Sequence, residues 1–241
     1  MSYSLEICAN SIQSALNAQT GGASRIEFCD NILEGGTTPS YGAIKQVVEH
    51  LTIPVFVLIR PRGGDFVYSD EEFAAMKDDI QFCKEIGCRG IVTGILKADG
   101  TVDVQRTTKL VELAKPLQLT FHRAFDDCVN MDQSLEDIIQ LGFDRILTSG
   151  GKPTAFEAIS TLSELVKKAD NRIKIVPGSG ITETNIIDIA TATGAEEFHT
   201  TAKTLRQGVH YSMFNDETIV QTDTEKVRAI SKILNSLDSL V

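Results

Sequence analysis

Short apolar runs alternate along the chain with segments whose apolar residues recur every three to four positions. The runs cover residues 5–9, 25–30, 54–60, 90–96, 117–126, 145–150, 174–180 and 196–202. They are rich in Val, Ile, Leu and Phe, as strands buried on both faces of a parallel sheet are. The periodic segments predict helices over 11–20, 40–50, 70–86, 104–115, 131–141, 154–169, 184–193 and 223–237. Gly21-Gly22, Gly142 and Gly194 stop three of them, and Ser69 followed by Glu72 has the spacing of a capping box. Eight strand–helix units in 241 residues, with no linker and no break in composition, predict one (β/α)8 TIM-like barrel spanning 1–241. A doubly wound sheet alternates in the same way. It often carries G-x-G-x-x-G after its first strand, where this chain has CANSIQ. Residues 203–220 read as a long irregular loop before the last helix, the kind of loop that is usually functional or mobile.

Composition narrows the function classes. The formal net charge is −10, so a general nucleic-acid surface is disfavoured, and an anionic membrane surface would repel the chain. MSYSLEICAN lacks a basic start and a long apolar core, and IPVFVLI is too short to span a bilayer. The expected location is the cytoplasm, with Cys8, Cys29, Cys83, Cys88 and Cys128 reduced. No two of them form C-x-x-C, and Cys83 and Cys88 read as apolar packing near a helix end.

Polar residues gather at the predicted C-terminal strand ends, where barrels of this kind place their chemistry. Residues two apart on a strand share a face, so Glu6 and Cys8, Glu27 and Cys29, and Glu197 and His199 project in pairs from three neighbouring strands. Two thiolates and an imidazole (Cys8, Cys29, His199) make a soft metal site, suited to Cu(I) or Zn(II). For any single cysteine plain burial is the better explanation, and it is the pair that raises the metal reading. Glu27 and His122 are the candidate proton carriers of an enzyme. The carboxylates could instead neutralise Arg60, Arg62 or Arg123, since buried charges need partners. Those three arginines, with Ser179 and Gly180 of the PGSGIT turn, form the candidate anion site. TSGG, residues 148–151, is a second glycine-rich turn, and tight turns alone account for such glycines.

The blocks RIEFCDNILEGGTTPSYG, VFVLIRPRGGDFVYSD, TFHRAFD, FDRILTSG, PGSGIT and EFH occur in order over roughly residues 5–203. Together they resemble the copper homeostasis protein CutC family. The resemblance implies a TIM-like barrel, a cytoplasmic location, homo-oligomers (dimers or tetramers) and a link to copper through Cu(I) binding. The family's proposed copper cysteines match Cys8 and Cys29. It establishes no catalytic reaction. Two functions therefore stand side by side: a copper-handling protein with Cu(I) on Cys8, Cys29 and His199, in which two thiolates suffice for linear Cu(I), or an enzyme for a small anionic or phosphorylated metabolite. An interaction module is the reading left if neither ligand binds.

Overall fold

The computed structural model describes residues 3–207 and 218–238. The apolar runs form eight parallel strands: β1 (Ser4–Ala9), β2 (Arg25–Phe28), β3 (Val55–Leu58), β4 (Gly90–Thr93), β5 (Gln118–Phe121), β6 (Arg145–Thr148), β7 (Lys174–Pro177) and β8 (Glu197–Thr200). Hydrogen-bonded ladders run in the order β7-β6-β5-β4-β3-β2-β1-β8. β7 and β8 then face each other without a ladder, close enough that a Cβ on Gly178 would sit 3.4 Å from His199 Cβ. The result is a nearly closed (β/α)8 barrel.

The helices α1 (Ile12–Gly21), α2 (Tyr41–His50), α3 (Asp70–Glu85), α4 (Val104–Ala114), α5 (Met131–Leu141), α6 (Ile159–Ala169), α7 (Ile186–Thr193) and α8 (Thr224–Asp238) follow the strands. Ser69 and Glu72 complete the capping box of α3 in both directions. The helix expected over 154–169 opens as a 3-10 turn, Phe156–Ala158, before α6. The expected fifth strand ends at Phe121, and Arg123–Asp127 form a 3-10 turn, so His122 and Arg123 stand on the loop above the barrel wall.

Strand parity sorts the side chains. Ile7, Ile26, Phe28 and Phe198 point outward, where they are fully buried in the shell between sheet and helices. The other parity fills the barrel interior, and it is far from apolar. The strand starts carry Arg25, Arg145, Lys174 and Glu197.

The stretch expected to be an irregular loop over 203–220 is in part a hairpin. β9 (Lys203–Gln207) pairs antiparallel with β10 (Thr218–Thr222), while 208–217 fall outside the described residues. The apolar members Leu205 and Ile219 are exposed rather than buried, so the segment lacks the pattern of a core strand. Polar contacts anchor it to α1 and the loop before it: Asn10 Nδ2 donates to Val220 O at 3.1 Å, and Asn17 Nδ2 to Thr222 O at 2.8 Å.

Candidate functional site

The lower half of the barrel interior is an ion network. Arg25 pairs with Glu6 and, at 2.8 Å, with Glu197. Arg145 reaches the same Glu197 at 2.7 Å and Gln118 at 2.8 Å. Both guanidinium groups lie 5.4 Å from the centre of the Phe56 ring. These are the partners that the interior carboxylates require. The expected partners Arg60, Arg62 and Arg123 form no ion pair with Glu6 or Glu27; the network uses Arg25 and Arg145 instead. The signal for Arg25 was present in the sequence, since it shares the parity of Glu27 and Cys29.

Above the network sit the thiols. Register pairs Cys8 with Glu27 and Glu6 with His199 across β1 and its two neighbours. The Sγ atoms of Cys8 and Cys29 are 3.4 Å apart, and both residues are buried. One ligand atom each from Cys8, Glu27 and His199 lie within 4.8 Å of one another. Cys29 stands outside that trio and joins through Cys8. His199 Nδ1 contacts Glu6 Oε1 at 2.7 Å and Glu27 Oε2 at 3.8 Å. A carboxylate on one ring nitrogen fixes the imidazole and leaves Nε2 for another task.

Burial alone would raise the Glu6 carboxyl, but Arg25 and His199 outweigh it and hold the group at about 2. Burial raises Glu27 to about 7, helped by the charge of Glu6 and opposed by His199 and Arg25. Burial works against a charged His199, yet Cys8 and the two carboxylates lift it well above its ordinary value. The hydrogen bond with Cys29 and burial push the Cys8 thiol up. These shifts favour a protonated His199, an ionised Glu6 and a neutral Cys8 thiol, with Glu27 raised toward neutrality.

A cavity of about 620 Å³ opens above this cluster, at the C-terminal end of the barrel. Cys8, Glu27, Arg60, His122, Arg123, Ser179, Gly180 and His199 all line it. Arg62 does not. It is turned away and held by Glu72 at 2.6 Å and Asp65 at 3.0 Å. Arg60 clamps two loops by donating to the carbonyls of Glu34, Gly36 and Gly64 at 2.9, 2.6 and 2.7 Å. His122 Nδ1 accepts from Ala124 N at 3.2 Å, so in the neutral ring Nε2 carries the hydrogen, and that atom is buried without a partner. Burial and the Arg60 charge depress His122 to about 3, which favours the neutral ring with its hydrogen on Nε2.

The TSGG turn is already filled. Asp126 accepts from the backbone N–H groups of Ser149 and Gly151, at 3.1 and 3.0 Å, and pairs with Arg123 at 2.8 Å. A carboxylate of the chain occupies the turn that an external anion would have used. Ser179 and Gly180 keep their place in the cavity wall, both with positive φ, 75° and 70°.

Comparison with known proteins decides the family. The sequence profile of the CutC family matches residues 3–204. The chain belongs to the CutC family. A CutC family protein of Parabacteroides distasonis is 48% identical over 241 residues, covering 93% of this chain and 98% of the relative. The copper homeostasis protein cutC homologue of Homo sapiens is 41% identical, with 98% of this chain and 90% of the relative covered. The crystal structure of a copper homeostasis protein CutC from Streptococcus agalactiae superposes with a TM-score of 0.79 at 37% identity, covering 83% of this chain and 98% of that one. An aldolase, QR15, shares the barrel at a TM-score of 0.66 but only 14% identity, with coverage of 98% and 96%, which speaks to the fold alone. Among the described residues no helix is long and apolar enough to cross a membrane.

Proposed function

We propose that this CutC chain handles copper in the cytoplasm by holding Cu(I) between Cys8, Cys29 and His199 at the floor of the cavity. The observation that carries the reading is the 3.4 Å approach of the two Sγ atoms beside an imidazole that Glu6 already orients. Soft thiolates suit Cu(I), and the free state of all five cysteines fits a reducing compartment. A straight S–metal–S unit would span roughly 4.6 Å, taking ~2.3 Å per metal–sulfur bond. The sulfurs stand closer than that. That closeness favours His199 as a third donor, and His199 and Cys8 would give up the protons they hold at rest as the ion binds. Glu27, a hard oxygen donor, is the neighbour least suited to the ion.

The test is a Cu(I) titration of reduced protein against a coloured Cu(I) chelator. About one equivalent should bind, and Cys8→Ser with Cys29→Ser should abolish it. Replacing Cys83 and Cys88, which sit apart in the outer core, serves as the control and should leave binding intact. Undiminished binding in the Cys8/Cys29 variant would sink the proposal.

A further inference from the structure

Among the described residues Arg60 is the buried arginine that no carboxylate meets. Arg25 and Arg145 each meet a carboxylate. Arg60 is 4% exposed, its guanidinium donates to neutral carbonyls and lies 5.0 Å from the centre of the Phe66 ring, and among the described residues it has no ion-pair partner. A buried charge left in this state is costly unless something of opposite sign comes to it. The space beside it is the cavity. In a chain of net charge −10, that cavity is walled by Arg60, Arg123, Lys203 and Lys226 against only Glu27 and Glu183. Its low-dielectric walls focus the positive field. His122 adds a second signal, because it is 4% exposed, lines the same cavity and has no partner for Nε2–H. Leu58, Phe66, Leu147, Ile181 and Ile230 give the wall an apolar part, and Ser179, Thr182, Thr184, Thr200 and Thr201 add hydroxyls. Apolar walls with a few convergent polar groups are what small-molecule sites are made of.

We propose that the cavity binds a small organic oxyanion, its acidic head held by Arg60, His122 Nε2–H, Arg123 and Lys226 and its apolar body against Phe66 and Ile230. The site stands apart from the copper reading, because no thiol is needed to hold the head. It also differs from the anion site expected from sequence. Arg62, Ser179 and Gly180 do not hold the head, while His122, expected as a proton carrier, serves as a donor and Lys226 of α8 is added.

The experiment titrates three probes into metal-free protein and follows the ring resonances of His122 by NMR. Phenyl phosphate and benzoate share an apolar ring and differ in head group; inorganic phosphate has the head alone. At least one organic probe should bind saturably, at least tenfold more tightly than inorganic phosphate, with His122 moving. The tighter organic probe identifies the head as phosphate or carboxylate. Lys226→Gln and Arg123→Gln, both on the accessible rim, should each weaken that binding several-fold. The proposal falls if neither organic probe saturates, if neither outcompetes inorganic phosphate, or if both variants bind as the wild type does. No copper is present, so the outcome is independent of the thiol site.

Discussion

His122→Gln should remove an acid sensitivity that the wild-type fold carries. In the folded chain burial and Arg60 hold His122 at about 3, against an ordinary value of 6.5. Below 6.5 the unfolded chain takes up a proton that the folded chain refuses. A depressed folded pKa therefore means stability that is full above 6.5 and is lost as pH falls toward 3. The slope is about 1.4 kcal/mol per pH unit for one proton. Between about pH 6.5 and about pH 5 the wild type should thus lose about 2 kcal/mol that His122→Gln does not. This figure requires only that the folded pKa lies below the lower pH, so it does not lean on the full depression. Gln can keep the acceptor for Ala124 N, and it gives up the ring contact with Phe66, whose centroid is 4.8 Å away. That loss is a constant offset of roughly 1 kcal/mol. Urea unfolding of both proteins from about pH 7.5 to about pH 5 measures the difference. Parallel stability profiles would refute the reasoning, because His122 would then be charging freely inside the fold.

Three further outcomes follow from the side-chain contacts. Glu6→Gln breaks a buried ion pair while Arg25 keeps Glu197 at 2.8 Å, so the cost should fall near ~3 kcal/mol, at the lower end for such pairs; a loss under ~1 kcal/mol in urea unfolding would deny the network its role. Gly90→Ala drives a Cβ to 2.3 Å from Phe56 Cε1 and 2.8 Å from the backbone oxygen of Gln118, and the overpacking should cost ~1–3 kcal/mol, read as a lowered Tm. Arg62→Ala removes a half-exposed side chain from Glu72 and Asp65, so stability should change by no more than ~1 kcal/mol. The same variant should bind phenyl phosphate as the wild type does, and a tenfold weakening would return Arg62 to the anion site.

The barrel was legible because its signals are local. Each strand is a short apolar run, and each helix carries its own periodicity, cap or terminating glycine. Gly22 and Gly142 sit at φ 93° and 86°, the left-handed geometry that closes a helix cheaply only with glycine. The hairpin of β9 and β10 was not legible, because nothing in it is buried in the pattern that marks a strand. What holds its described part to the barrel is side-chain hydrogen bonding from Asn10, Ser14 and Asn17, residues some two hundred positions away. Arg62 illustrates the same limit. Its spacing from Arg60 places it at the strand end, but its fate is set by a carboxylate, Glu72, in the following helix.

The site was half legible, and the dividing line is height along the barrel. Alternation names which residues share the interior: Glu6 with Cys8, Arg25 with Glu27 and Cys29, Glu197 with His199. It gives no level for any of them, because shear staggers neighbouring strands. Register supplies the level. Arg25 stands opposite Glu6, and Glu197 opposite Ser4, so the first members of each set close an ion network at the bottom. Glu27 then meets Cys8, and His199 meets Glu6 from above, which delivers the later members to the cavity floor. One repeating pattern therefore performs two tasks. Its lower residues pair with one another, so that among the described residues Arg60, one level higher, is the buried arginine with no carboxylate partner and a cavity at its side.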